Sequence, residues 1–211
     1  MGQTPIAESV ERTPMAETAQ KLMTVEEFFD WQQGQDERYE LVDGVPVILA
    51  DPITMMTGAS SQHDRITGNI FAALHNQLDG STCWPATADL ALRTKIRSLR
   101  RADVLVTCDE PKLDVYEAQE PRMVVEVLSP SNKGLPWFRK IEEYRQHGKL
   151  VYLLLVESER QQATLISRAG EGGAWMPTDY DGDGGVIDLP DIGCKLAMSS
   201  AYKGVKFDLP A

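Results

Sequence analysis

The sequence predicts a mixed α/β fold in which a mixed sheet is flanked by helices, and three observations support this fold class. The segment VYLLLVE, residues 151–157, has the apolar content of a strand that is buried on both faces. Apolar residues recur at helical spacing over residues 61–78. Residues 39–49 form two alternating runs around Asp43 and Gly44, which is a strong hairpin signal. The succession of strand and helix patterns favours a sheet covered by helices.

The first predicted element is a short amphipathic helix that begins at Thr24. Thr24 and Glu27 have the spacing of a capping box, and apolar residues follow them. Beyond the hairpin and the helix already named, a second helix is expected at about residues 137–147. The remaining expected strands are residues 87–93, 102–107, 122–128, 162–168, 174–180 and 185–189.

The length and charge of the chain limit its organisation and its partners. A chain of 211 residues fits one domain with a substantial core, expected here over residues 23–211. Residues 1–22 lack a basic segment followed by an apolar stretch, so we expect a flexible tail and no secretory signal. The formal net charge of −11 disfavours a non-specific nucleic-acid binder, although an enzyme that contacts DNA locally is compatible with it.

Cysteine spacing and hydropathy bear on the compartment. Cys83, Cys108 and Cys194 are widely spaced and odd in number, so we expect neither a disulfide framework nor a thiolate metal site. No apolar run approaches the roughly 18 residues that a membrane span needs. The cysteine pattern fits a reducing environment, so we expect a cytoplasmic protein. The hydropathy predicts no membrane segment.

Three acidic residues stand in otherwise apolar strand patterns: Glu40 in YELVDG, Asp103 in RRADVLV and Glu126 in MVVEVLSPSN. Each one alone could be an exposed position on an alternating strand. A buried carboxylate, however, is unfavourable unless a cation or hydrogen bonds compensate it. Carboxylates on strands about 4.8 Å apart could share one hard cation such as Mg²⁺, which prefers oxygen ligands. Together, the three acids therefore favour a shared metal site.

These segments resemble the Uma-type restriction endonuclease family, which is usually placed in the PD-(D/E)xK nuclease superfamily. The resemblance extends from about Thr24 to the C-terminus and rests on YELVDG, HDRI, ADVLV, VVEVLSPS, the helix with Lys140 and Tyr144, and VYLLLVE. It implies a restriction-endonuclease-like core. It also implies a Mg²⁺ (or Mn²⁺) ion held by acids on two neighbouring strands.

The resemblance implies a role for each matched residue. Asp103 and Glu126 match the metal-binding acids of the motif, the carbonyl of Val127 matches a further ligand, and Glu40 matches an acid supplied from upstream. His63 is expected to face the site and contact the substrate. The alternative for His63 is a surface or capping residue, which is common for a histidine near the start of a helix.

Two positions depart from the family pattern. Ala102 replaces the proline of the motif, and Leu128 stands where its lysine is expected. The resemblance implies that Lys140, on the following helix, replaces this lysine and positions or activates the attacking water. Lys133 is the weaker candidate because it falls in the preceding turn.

The segment RSLRR, residues 97–101, is a basic cluster directly before Asp103. Arg97, Arg100 and Arg101 could contact phosphates beside the proposed metal. The alternative is that the segment forms a solvated hairpin turn.

The combined pattern favours a metal-dependent DNA endonuclease that hydrolyses phosphodiester bonds by in-line attack. Two other classes stay open: a non-catalytic binding or assembly protein with a relict metal site, and a hydrolase of a small phosphorylated molecule. Restriction-type enzymes often pair two active sites, so we expect a homodimer. Clustered carboxylates without metal should raise the pKa of at least one of them.

Overall fold

The computed structural model describes residues 21–49, 61–129, 134–170 and 172–207. The elements of the first half are α1 (Val25–Gln32), β1 (Tyr39–Val42), β2 (Val45–Ile48), α2 (Ser61–Leu78), β3 (Trp84–Thr87), β4 (Leu92–Lys95), β5 (Ser98–Arg100) and β6 (Val104–Thr107). The second half contains β7 (Pro121–Leu128), α3 (Leu135–Gln146), β8 (Tyr152–Glu157), β9 (Gln162–Ser167), β10 (Met176–Asp181), β11 (Val186–Leu189), β12 (Cys194–Ala197) and α4 (Met198–Ala201).

The strands form a large mixed sheet and a smaller antiparallel sheet. The large sheet has six strands in the order β10-β9-β8-β7-β6-β3, and β7 and β8 are its parallel pair. A parallel pair needs a crossover connection, and α3 lies in the connection between β7 and β8. The smaller sheet has the order β2-β1-β5-β4, and β11 and β12 form a separate hairpin. The predicted fold class, a mixed sheet flanked by helices, is confirmed.

Two hydrophobic clusters cover β7 from different helices. Val125 and Val127 pack with Ile66 and Ile70 of α2 in one cluster. Val124 packs with Tyr144 of α3 in the other cluster. Side chains alternate along a strand, so the residue after Val125 belongs to the same face as Val124 and is directed towards α3. That residue is Glu126.

The start of α1 and the β1–β2 turn have the local interactions that the sequence predicts. Thr24 Oγ1 accepts a hydrogen bond from the Glu27 backbone at 3.1 Å, and Glu27 accepts one from the Thr24 backbone at 2.9 Å. The predicted capping box is therefore confirmed. The β1–β2 turn places Asp43 and Gly44 at φ 49° and 87°, as a two-residue hairpin turn requires.

The structure changes the predicted strand boundaries most around residues 84–100. The predicted strand 87–93 is wrong, because β3 ends at Thr87 and β4 begins only at Leu92. The hairpin turn expected for RSLRR is largely a strand: β5 has three buried residues, Ser98 to Arg100. The expected N-terminal tail, residues 1–22, lies outside the described residues except for Lys21 and Leu22.

The cysteines correct another expectation. Cys83 and Cys108 form a disulfide, so the prediction that no such bond forms was wrong. The antiparallel ladder of β3 and β6 places Trp84 opposite Thr107, and the adjacent cysteines therefore meet across the two strands. Their separation of 25 residues gave no sequence signal of this pairing. Cys194 is free and buried.

Over the described ranges, no helix combines the length and the apolar character needed to cross a membrane.

Candidate active site

Asp103 and Glu126 lie on neighbouring segments at one end of the β6–β7 ladder. The ladder pairs Val104 with Val125, so Asp103 and Glu126 are the next residues along it. The backbone N–H of Val127 donates a hydrogen bond to Asp103 Oδ2 at 2.7 Å. The structure thus brings together the two acids that the sequence singled out, at the position where their strands are adjacent.

Glu126 is compensated by α3 despite its place in an apolar strand. It is 3% exposed, and its Oε1 lies 2.9 Å from Lys140 Nζ. The Tyr144 hydroxyl donates to the same oxygen at 2.7 Å. The pKa of Glu126 is raised to about 7, mainly because burial disfavours the charged form. The charge of Lys140 opposes this rise, and the charge of Asp103 adds to it.

Lys140 reaches the acids from α3, as the sequence predicted for its position. Its Nζ lies 3.1 Å from Glu40 Oε1 and donates to the Arg101 carbonyl oxygen at 3.0 Å, in addition to its contact with Glu126. Burial alone would lower the pKa of Lys140, but the charges of Glu126 and Glu40 outweigh it and raise that pKa. Lys140 is therefore protonated at neutral pH and acts as a hydrogen-bond donor.

Glu40 is held by cations on both of its carboxylate oxygens. Arg100 Nη1 lies 2.9 Å from Oε2, while the Arg101 backbone N–H donates to Oε1 at 2.9 Å. Burial raises the pKa of Glu40, but Lys140 and Arg100 reverse the effect and lower it overall. This position fits an acid that orients Lys140. A direct metal contact by Glu40 would have to replace one of these bonds.

His63 lies beside Asp103, on the opposite side of the site from α3. His63 Nε2 is 3.3 Å from Asp103 Oδ2, and the two side chains are 16% and 24% exposed. The pKa of His63 is raised, chiefly by the hydrogen bond with Asp103. The histidine at the start of α2 therefore reaches the candidate site, which favours the predicted location near a substrate.

The donor set at Asp103 and Glu126 fits a divalent cation held by few protein ligands. Among the contacts of the described residues, none occupies Asp103 Oδ1 or Glu126 Oε2. The same residues contain no cluster of three or more histidine, cysteine or acidic side chains arranged as a metal site. Two carboxylates and a backbone carbonyl, with water completing the shell, match the way in which Mg²⁺ binds proteins.

The three arginines of RSLRR occupy different environments. Arg97 is exposed in the turn between β4 and β5. Arg100 is 5% exposed and pairs with Glu40 and Glu143, with a distance of 2.7 Å from its Nε to Glu143 Oε2. Arg101 is 7% exposed and donates to backbone carbonyls. Burial and internal partners leave Arg100 and Arg101 without a free face for the phosphate contacts expected of them.

Glu143 and Tyr144 belong to the site, although the sequence reading gave neither a role. Glu143 is 3% exposed and accepts a hydrogen bond from Thr94 Oγ1 at 2.9 Å as well as its contacts with Arg100. Both residues follow Lys140 by three and four positions, and such spacing places side chains on one face of a helix. That spacing was the available signal. Lys133, the weaker lysine candidate, lies outside the described residues.

A mixed sheet with helices on both faces, two acids on adjacent strands and a lysine from the next helix together define a restriction-endonuclease-like protein. Residues 25–199 match the family model described as "Uma2: Putative restriction endonuclease". The chain therefore belongs to the Uma2 family, and the predicted resemblance is confirmed.

Similar proteins span nearly the same length. The chain is 29% identical over 187 residues to "Uncharacterized protein slr1290" of Synechocystis sp., covering 88% of this chain and 94% of that protein. It is 25% identical over 173 residues to "Uncharacterized protein sll1609" of the same organism, covering 80% and 93%. A crystal structure titled as a "putative nuclease belonging to DUF820" from Anabaena variabilis has a TM-score of 0.63 at 14% identity, covering 85% of this chain and 97% of that one. This last similarity shows the fold.

Proposed function

We propose that the protein is a Mg²⁺- or Mn²⁺-dependent endonuclease that hydrolyses phosphodiester bonds in DNA. The observation that carries the proposal is the contact of 2.9 Å between Lys140 Nζ and Glu126 Oε1, next to Asp103. Through this contact Lys140 would serve as the lysine of a nuclease site, although Leu128 stands where the motif has its lysine. The description of the Uma2 family supports a nuclease in general.

Each residue has a distinct part in the proposed mechanism. Asp103 and Glu126, with the Val127 carbonyl, would hold the cation, which when bound supplies charge stabilisation and a more acidic water. Lys140 would exchange one of its three contacts, with Glu126, Glu40 or the Arg101 carbonyl, to donate a hydrogen bond to the attacking water or to the developing charge on the phosphate. Glu40 fixes Lys140 in place. His63 is positioned beside Asp103 to contact a substrate phosphate, and Arg97 is a candidate for a more distant phosphate contact.

The test is cleavage of supercoiled plasmid and of single-stranded DNA with Mg²⁺, Mn²⁺ or EDTA. We expect Asp103→Ala and Glu126→Ala each to lower the rate by at least about 100-fold, because each removes a ligand of the cation. Glu142→Ala is the matched control: its side chain is 54% exposed on α3 and, among the described residues, pairs with Arg145 alone.

Each outcome of this assay separates the proposed function from its alternatives. Equal cutting by the wild type and the site variants would identify contamination and favour a non-catalytic binding or assembly protein. Hydrolysis of a mononucleotide in preference to a polymer would favour a hydrolase of small phosphorylated molecules.

We also propose that the protein acts as a homodimer, because a symmetric dimer would bring two active sites together for two cuts. Light scattering coupled to gel filtration tests the dimer, and a mass equal to one chain would contradict it.

A further inference from the structure

A recess beside the candidate site is lined on one side by Glu126 and Lys140 and has a volume of about 550 Å³. Its other wall is formed by the end of β2 and the start of α3. We call it the Trp137 recess and define it by Val47, Leu49, Leu135, Trp137 and Arg139, together with Glu126 and Lys140; Glu40 and Arg100 also line it. The recess therefore includes Glu126, one member of the acid pair.

The wall of the Trp137 recess is unusually apolar for an exposed surface. Val47 is 45% exposed, Leu49 is 39% exposed and Leu135 is 62% exposed. Exposed apolar side chains that face one concave region indicate a binding surface, whereas isolated ones need no explanation. Trp137 adds a large, half-buried aromatic ring to this wall.

Trp137 differs from two other tryptophans of the chain. The indole N–H groups of Trp84 and Trp175 donate to backbone carbonyls at 2.7 and 2.9 Å. Within the described ranges, the indole N–H of Trp137 has no hydrogen-bond partner, as is also true of Trp31, and Arg139 forms no ion pair. Trp137 and Arg139 thus face the same recess as Glu126 without a protein partner for the indole N–H or the guanidinium.

We propose that the Trp137 recess takes an unstacked nucleobase of single-stranded or locally unpaired DNA, next to the phosphate that the acid pair receives. This proposal rests on the proposed nuclease function and names its substrate class. Stacking on an aromatic side chain holds a base without sequence preference, and a neighbouring cation contacts the backbone. Trp137 supplies the stacking surface and Arg139 the cation, while Lys140 and Glu126 adjoin the phosphate.

The shape of the recess, more than the charge of the chain, favours an unpaired strand over an intact duplex. Bases inside a duplex remain stacked on one another and cannot enter a lateral recess unless they are extruded. Binding to duplex DNA depends largely on many phosphate contacts from a basic surface. This chain has a formal net charge of −11, and Arg100 and Arg101 are buried. Stacking in one recess needs far fewer cations.

The experiment measures fluorescence anisotropy with a labelled 12-nucleotide single strand and with its duplex, in EDTA so that the DNA stays intact. We expect tighter binding of the single strand by the wild type. Trp137→Ala should weaken single-strand binding by about 5- to 140-fold, which corresponds to the loss of one base–aromatic stack. Trp137→Phe should retain most of the affinity because it keeps an aromatic face.

Phe138→Ala is the matched control, because Phe138 is the next residue of α3, is 68% exposed and does not line the recess. It should bind like the wild type. The proposal is overturned if Trp137→Ala binds the single strand like the wild type, or if Phe138→Ala weakens binding equally. It is also overturned if the wild type prefers the duplex.

Cleavage in Mg²⁺ separates this inference from the proposed function. If the wild type cuts DNA and Trp137→Ala binds and cuts equally well, the inference fails and the nuclease stands. If the wild type never cuts but binding depends on Trp137, the recess is a base-binding site and the nuclease proposal fails.

Discussion

The two sides of the candidate site differ in how their charges are balanced. On the closed side, Glu40, Arg100 and Glu143 have side chains that are only 9%, 6% and 4% exposed, and they pair with one another. On the open side, Asp103 and His63 are 24% and 16% exposed and meet at 3.3 Å. The two sides share the sheet, and the side chains of the open side are the more exposed ones.

This difference separates an acid that orients the site from an acid that can accept a ligand. The three carboxylates Glu40, Glu126 and Glu143 are matched by three cations, because Lys95 also pairs with Glu143, at 3.3 Å, beside Arg100 and Lys140. Among the described charged groups, Asp103 is paired only with His63, and a divalent cation would be stabilised there. The ion pairs of the closed side fix the positions of the site residues. On the open side, Asp103 can accept a ligand.

The largest expected loss of stability comes from removing an acid of the closed side. Glu143→Ala leaves Arg100 buried with Glu40 as its only acidic partner, and we expect a loss of about 3 kcal/mol in the free energy of unfolding. Asp103→Ala, on the open side, removes the acceptor of the Val127 N–H and should cost about 1 kcal/mol, less than the loss for Glu143→Ala. Urea denaturation at pH 7 with EDTA measures both.

Glu143→Gln provides the control for this comparison, because it keeps the shape and part of the hydrogen bonding of Glu143. It should fall between the wild type and Glu143→Ala. A loss for Asp103→Ala as large as that for Glu143→Ala would contradict the division into a closed and an open side.

The sequence predicts correctly those helices and strands whose apolar patterns are formed by neighbouring residues. The helix expected at residues 61–78 has the bounds of α2, and the strands expected at 122–128 and 151–157 match β7 and β8 to within one residue. Each of these depends on an apolar period that neighbouring residues define.

The predictions that were wrong concern residues whose interaction partners are distant in the sequence. RSLRR was expected to face solvent or phosphate, but Arg100 is buried because Glu143 and Glu40, 43 and 60 residues away, neutralise it. The pairing of Cys83 with Cys108 likewise depends on the register of β3 and β6. The local sequence contains no signal for either.

The next largest effect is a dependence of the free energy of unfolding on pH. Its source is Glu126, which lies between the two sides. The pKa of Glu126 is about 7 in the folded protein, against about 4.5 when it is unfolded. The folded state therefore binds more protons between these values, and without metal the stability falls as pH rises from about 4.5 to about 7. The contribution is up to about 3 kcal/mol, since one unit of pKa corresponds to about 1.4 kcal/mol.

Urea denaturation at pH 5 and pH 8 in EDTA tests this prediction. Glu126→Gln should remove most of the fall. The titration of His63 persists in both proteins, although the variant loses the part of the rise in its pKa that the charge of Glu126 causes. Mn²⁺ should raise the melting temperature more at pH 8 than at pH 5, because protons compete for its ligands. An equal shift at both values would count against a metal at Glu126.

Tyr144→Phe sharpens the assignment of the charge on Glu126. The hydroxyl donates at 2.7 Å to a buried carboxylate, so its removal should cost about 2 kcal/mol while Glu126 is ionised. The loss should be larger at pH 8 than at pH 5, because protonated Glu126 depends less on this donor. Chemical denaturation of the variant at both pH values is the measurement, and equal losses would place the charge elsewhere.

The smallest expected loss of stability tests whether the closed side stays intact when one of its hydrogen bonds is removed. Thr94 Oγ1 donates to Glu143 Oε2, but Arg100 Nε donates to the same oxygen at 2.7 Å, so Thr94→Val should cost only about 1 kcal/mol. Thr164→Val is the control, because its bond of 2.7 Å to Asp179 is exposed and water can replace it. Its loss in a urea titration should stay below about 0.5 kcal/mol. A loss for Thr94→Val near that of Glu143→Ala would mean that Arg100 alone does not hold Glu143, and that the closed side depends on each of its bonds.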